Sequence, residues 1–221
     1  MNGLRALIRR ELSLAFSGGG GPLLALSFYA CLTALLPLAA GRNPQQLGVL
    51  GPDIAWLSLA LASLLSLERL FERDYEDGAL DLLAMGPVPL EAVALFKVLA
   101  QFLTVNAPLA IAAPIAAIAL GGPATLAPMA VITGLLGGVA FASIGGLGAA
   151  LALGAKRGGL LVAVVVLPLF APPVIFGAAA LDAALAHMSP ATSLMLLAAY
   201  AVAAAGLSPI AMAAACRNAL D

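Results

Sequence analysis

Six apolar stretches with almost no charge, about 22–40, 54–67, 92–120, 127–153, 160–180 and 192–216, run through this 221-residue chain with only short polar joints between them. Crossing the hydrocarbon core takes about 20 apolar residues in a helix, and lipid offers the backbone no hydrogen-bond partner outside a helix or a closed barrel. The pattern predicts an all-α integral membrane protein with six transmembrane helices. Hydrophobic residues make up 63% of the chain, against roughly 45–50% with glycine included in soluble domains. Nearly all of the length is therefore committed to spans. That predicts a single transmembrane domain over 1–221, with no room for a soluble catalytic domain. A net charge of −1 and the lack of any dense basic stretch exclude a nucleic-acid partner.

The joints and ends carry further expectations. Residues 2–17 place Leu4, Leu7, Ile8, Leu14 and Ala15 on one side of a helical projection and Arg5, Arg9 and Ser13 on the other, which suits a helix lying in the lipid headgroup plane. Glu11 falls within the apolar arc, so that side would pack on protein. With Arg10 and Glu11 and no apolar core before Gly18, the segment does not read as a cleavable signal peptide. Cys31 and Cys216 match no disulfide, zinc or haem-attachment spacing. Placing both termini on one side gives that side Arg5, Arg9, Arg10, Arg69, Arg73, Lys97, Lys156, Arg157 and Arg217, leaving Arg42 alone on the other. By the positive-inside bias, the termini and residues 68–91 face the cytoplasm.

Within the spans, the second is short at its charge-free core, while the third and fourth are long enough to be tilted, kinked or broken. Pro108 and Pro114, and Pro168, Pro172 and Pro173, remove backbone donors and are expected to kink or break the third and fifth spans. Gly134, Gly137, Gly138, Gly145, Gly146 and Gly148 permit tight packing of the fourth, with a place on a substrate path as the alternative. Gln101, Thr104 and Asn106 form a polar cluster that either bonds between helices or lines a path. Asp53, Asp182, Glu91 and Lys97 lie at or within about two turns of span ends, so the interiors are expected to lack the buried ionisable group that ion-driven transporters use.

Seven of the eleven acidic residues fall in 68–91. Here Glu68–Tyr75 reads as a charged extension of the second span, Glu76-Asp77-Gly78 as a turn with Asp77 capping a short helix Ala79–Met85, and Gly86-Pro87 as its stop. Leu80, Leu82 and Leu83 alternate with Asp81. A merely solvated turn has no need of these leucines. The run suggests a docking surface for a soluble partner.

The pattern Glu76-x-Gly78-x-Leu80-Asp81-x-Leu83, followed by Pro87, Glu91 and Lys97, resembles the first cytoplasmic loop of ABC-2-type (type II exporter-like) ATP-binding-cassette permeases. The stretches LIRRELSLAF, LERLFERDYEDGALDLL and KRGGLLVAVVVLPLFAPPVIFGAAA are similar to the CcmB family, the haem exporter B proteins of cytochrome c maturation. The resemblance implies a non-catalytic permease subunit of a bacterial inner membrane, working as a homodimer. Glu76 to Glu91 would form the coupling site for a separate ATPase, CcmA. Haem-handling CcmC and small CcmD would be partners, and ATP hydrolysis would drive haem delivery or release of the haem-loaded chaperone CcmE. Haem and ATP would be handled by those partners, with no cofactor on this chain.

Two alternatives stay open: an ABC-2 permease exporting a lipid or glycan, and a non-transporting membrane scaffold. His187, the one histidine, is a loop residue or a haem ligand; Trp56 packs at a membrane interface or between helices, or stacks on haem. No nucleophile–base pair or metal-ligand set is present, which argues against intrinsic catalysis.

Overall fold

The computed structural model describes residues 21–39, 44–67, 69–155 and 158–220. The expected interfacial helix with Arg5, Arg9, Arg10 and Glu11, together with Glu68, Lys156 and Arg157, lies outside them. Among the described residues every regular element is helical: α1 (Gly21–Ala39), α2 (Pro44–Leu65), α3 (Arg69–Glu76), α4 (Ala79–Ala84), α5 (Leu90–Gln101), a π-helical turn (Phe102–Asn106), α6 (Ala107–Ala119), a 3-10 turn (Ala124–Leu126), α7 (Ala127–Leu151), α8 (Gly158–Leu185) and α9 (Ala191–Leu220). Among the described residues five runs are long and apolar enough to cross a membrane: Leu50–Glu76, Leu90–Ala119, Ala124–Leu151, Val162–Leu185 and Ala191–Leu220. The apolar α1 adds 19 residues, about 28 Å at about 1.5 Å per residue. This is an all-α membrane protein, as its apolar runs require.

Helix α2 begins ten residues before the charge-free stretch at 54–67. Pro44 supplies a φ preset for the first helical turn, and Asp53 sits within the helix without ending it. The prolines act unequally. Helix α8 runs unbroken through Pro168, Pro172 and Pro173, and α6 runs through Pro114. Next to Pro108 the third span changes register into the π turn, because Pro108 has no N–H for the carbonyl four residues back and its ring crowds that carbonyl.

Helix α7 is the centre of the bundle, packing on α6, α8 and α9. Its glycines permit this. A Cβ on Gly137 would stand 2.4 Å from Trp56 Cη2, and one on Gly177 of α8 would stand 2.1 Å from Trp56 Cζ2. The indole thus fills a slot that only glycines leave open. It meets Phe141 edge-on at 6.1 Å between centroids, and Phe141 meets Phe170 at 4.5 Å. Trp56 is therefore a core residue of the bundle, not an interfacial one. A second apolar core, built on Phe71, Leu80, Leu90, Val98 and Met212, lies beneath the charged segment.

Candidate functional site

Residues 69–91 form a hairpin of two short helices laid against the ends of α5 and α7. Helix α3 is strongly amphipathic: Phe71 and Asp74 turn inward, while Arg73 and Glu76 face out. The chain then reverses through Asp77 and Gly78. The Asp77 N–H donates to Arg73 O at 3.0 Å and the Gly78 N–H to Tyr75 O at 3.2 Å, closing α3. Gly78 holds φ 68, the left-handed conformation that favours glycine after a helix.

This geometry corrects the expectation for Asp77, which caps nothing: α4 has no side-chain cap. With Gly78 immediately ahead of α4, Asp77 belongs to the end of α3, and its carboxylate pairs with Arg73 at 3.9 Å. Helix α4 ends at Ala84 and the Met85 N–H donates to Asp81 O, so the expected last residue is instead the C-cap. Six helical residues allow one inward stripe. Leu80 is fully buried and Leu83 half-buried three residues on, whereas Leu82 and Met85 stand 70% and 78% exposed beside exposed Asp81. Burial of Leu80 anchors α4 by about 1.5–3 kcal/mol. Pro87 is exposed in the return to α5, and half-buried Glu91 accepts from Arg217 Nη2 at 2.7 Å. The hairpin thus leaves Glu76, Asp77, Asp81, Leu82 and Met85 exposed above an apolar footing. A cleft of about 180 Å³ adjoins it, lined by Glu72, Tyr75, Glu76, Leu153, Gly154 and Val162.

Below the hairpin is a contact that the expectation of charge-free span interiors missed. Lys97, 2% exposed, pairs with Asp74, also buried. Its Nζ donates to Leu70 O at 3.1 Å and lies 5.3 Å from the Phe71 ring centroid. Nζ thereby engages an anion and a carbonyl on the same short helix, in place of reaching water. One turn further into the third span Gln101 Nε2 donates to Ser66 Oγ at 2.6 Å, and beyond it Asn106 Nδ2 donates to Ser63 Oγ at 2.7 Å. Thr104 bonds only within its own helix, to Ala100 O at 2.7 Å. A lysine inside the apolar stretch 92–120 was the signal available in the sequence.

Of the remaining singled-out residues, Cys216 packs in the apolar core beneath the hairpin with Phe71 and Leu80, and His187 and Cys31 belong to other elements. His187 is exposed past the end of α8 with φ 55, its N–H donating to Ala184 O and that of Met188 to Ala183 O, a helix-ending motif. Cys31 is exposed and Cys216 buried, both unbridged. Among the described residues no cluster of His, Cys, Asp and Glu is built to hold a metal ion.

Residues 2–219 match the family model described as CcmB protein. The chain is 43% identical over 214 residues to heme exporter protein B of Paracoccus denitrificans, covering 97% of this chain and 98% of the relative. It is 41% identical over 222 residues to heme exporter protein B of Bradyrhizobium diazoefficiens, with both chains fully covered. With heme exporter protein B of Escherichia coli K12 it shares 41% identity over 211 residues, 96% of each chain.

Proposed function

Because the chain belongs to the CcmB family, we propose that it is the membrane permease subunit of an ABC transporter acting in haem handling for cytochrome c maturation. It has no catalytic role of its own in this reading. The α3–α4 hairpin is the cytoplasmic contact for a separate ATPase resembling CcmA, and hydrolysis there drives haem delivery or release of a haem-loaded chaperone on the far side. CcmC- and CcmD-like membrane proteins complete the assembly, in which this chain is a homodimer with both termini cytoplasmic.

The observation that carries the reading is α4 itself. Leu82 and Met85 are exposed on a helix whose opposite side is pinned by fully buried Leu80. An apolar-tipped, acid-flanked projection fits a groove of mixed apolar and basic lining in a partner, and an exposed Met and Leu beside each other are costly to leave in water. A bilayer is not required to cover them, since the segment from 69 to 89 carries Glu72, Arg73, Asp74, Glu76, Asp77 and Asp81.

The test is co-purification of the ATPase with wild-type chain, with Leu82→Asp/Met85→Asp and with Asp81→Lys. The reading expects both variants to insert and fold while ATPase capture falls at least about tenfold, since exposed contact residues at an interface centre are worth a decade or more in affinity. Undiminished capture by both variants contradicts it.

A further inference from the structure

We propose that Asp74 and Lys97 form a latch clamping the α3–α4 hairpin to α5, so that a push received at α4 is delivered to α5 and the π turn above it. The proposal rests on the docking reading for the source of the push. The latch itself is a claim about how the hairpin is held.

The hairpin's covalent connections are poorly suited to transmitting force. It joins α2 through the turn at Ser66 and Leu67, outside regular helix, and joins α5 through Gly86–Pro89. Apolar packing of Phe71 and Leu80 onto the second core is non-directional and lets helices slide. Lys97 supplies directional contacts, grasping the Asp74 carboxylate and the Leu70 carbonyl one turn apart along α3. Burying a charged pair at this depth is costly, and exchange for apolar groups is often neutral or stabilising for a fold. Stability alone is therefore a weak reason for placing an ion pair there. Holding α3 at one register on α5 is the role these contacts perform.

Beyond the latch, the Ser66–Gln101 and Ser63–Asn106 bonds continue the same seam between α2 and the third span. The last rung falls within Phe102–Asn106, the π turn. Such turns are weak points at which a helix bends. The seam makes α2, α3 and α5 one body, with its compliant point at the far end. Asp74 and Lys97 are positioning residues in this scheme.

The experiment uses the assembled complex in lipid nanodiscs, with spin labels at Ala84→Cys on α4, exposed and outside the Leu82–Met85 contact pair, and Leu99→Cys on α5, in a Cys31→Ser/Cys216→Ala background. The expected distance stays within about 2 Å between nucleotide-free and ATP-bound states, whereas movement beyond about 5 Å, the scale of a helical ratchet, overturns the latch. The companion variant is Asp74→Leu/Lys97→Met, whose apolar pair keeps the interior filled. It is expected to broaden the distance distribution and to cut maturation of a reporter c-type cytochrome at least about tenfold while ATP hydrolysis stays within about twofold, the split that an uncoupled element gives. Full maturation by this variant, or an unchanged distribution, overturns the proposal. Loss of ATPase capture at α4 reports instead on the docking reading, and the Ala84–Leu99 distance tests the latch whatever pushes the hairpin.

Discussion

Arg217 Nη2 donates to Glu91 Oε1 at 2.7 Å, joining the last turn of α9 to the first turn of α5 across 126 positions of sequence. Arg217 is exposed and Glu91 half-exposed, so the bond sits where water and salt compete for it. Glu91→Gln and Arg217→Gln are each expected to lower thermal stability slightly, with the difference from wild type disappearing near about 1 M salt, where screening acts over about 3 Å. Thermal unfolding of the purified protein against salt concentration checks this. A large, salt-independent loss means that the pair serves something besides tethering.

The two leucines of α4 are expected to separate by consequence. Leu80→Ala empties a fully buried site and is expected to cost about 2–5 kcal/mol. Leu82→Ala, on the exposed side, is expected to stay within about 0.5 kcal/mol of wild type. Chemical denaturation in detergent micelles gives both values, and equal losses contradict the orientation of α4.

Gly177→Ala places a methyl group where the Trp56 ring stands. Overpacking of this kind costs about 1–3 kcal/mol. Trp56 is the one tryptophan, so its emission reads the slot directly: blue-shifted when buried in wild type, red-shifted and broadened in Gly177→Ala. An unchanged spectrum and melting temperature contradict the close approach of α8.

Two positive-φ positions predict opposite signs. Gly78→Ala puts a side chain on a left-handed residue that has open space around it, so backbone strain alone costs about 1 kcal/mol. His187→Gly relieves the same strain at φ 55 and is expected to stabilise by up to about 1 kcal/mol. Paired melting curves check the signs, and a destabilised His187→Gly assigns the imidazole a contact that outweighs its backbone conformation.

The sequence made the helical membrane architecture legible because runs of apolar residues have no alternative in lipid. Helix starts were less legible: Pro44 to Asp53 contains glutamine, glycine and proline, and hydropathy alone stops at Ile54 although the helix continues past it. The hairpin showed through its Gly78 and its leucines, yet Asp-Gly is ambiguous between a cap for the next helix and an end for the last. With only Asp77 and Gly78 between α3 and α4, the left-handed glycine takes the end and leaves the aspartate no cap to make. The outward turn of Leu82 follows from the three-residue spacing of Leu80 and Leu83. In the sequence Lys97 lies within about two turns of a span end, which says nothing of its partner. Whether such a lysine snorkels or pairs is decided by which neighbour packs over it, and that is tertiary information: Asp74 arrives from a separate helix.

The docking role of α4 is tested most directly by a photo-activatable residue at Met85 in the intact complex in its native membrane. The account predicts a covalent product with the ATPase subunit, abolished by Asp81→Lys in the same chain. A product formed only with lipid or with another membrane subunit, while the ATPase remains bound to the complex, contradicts it.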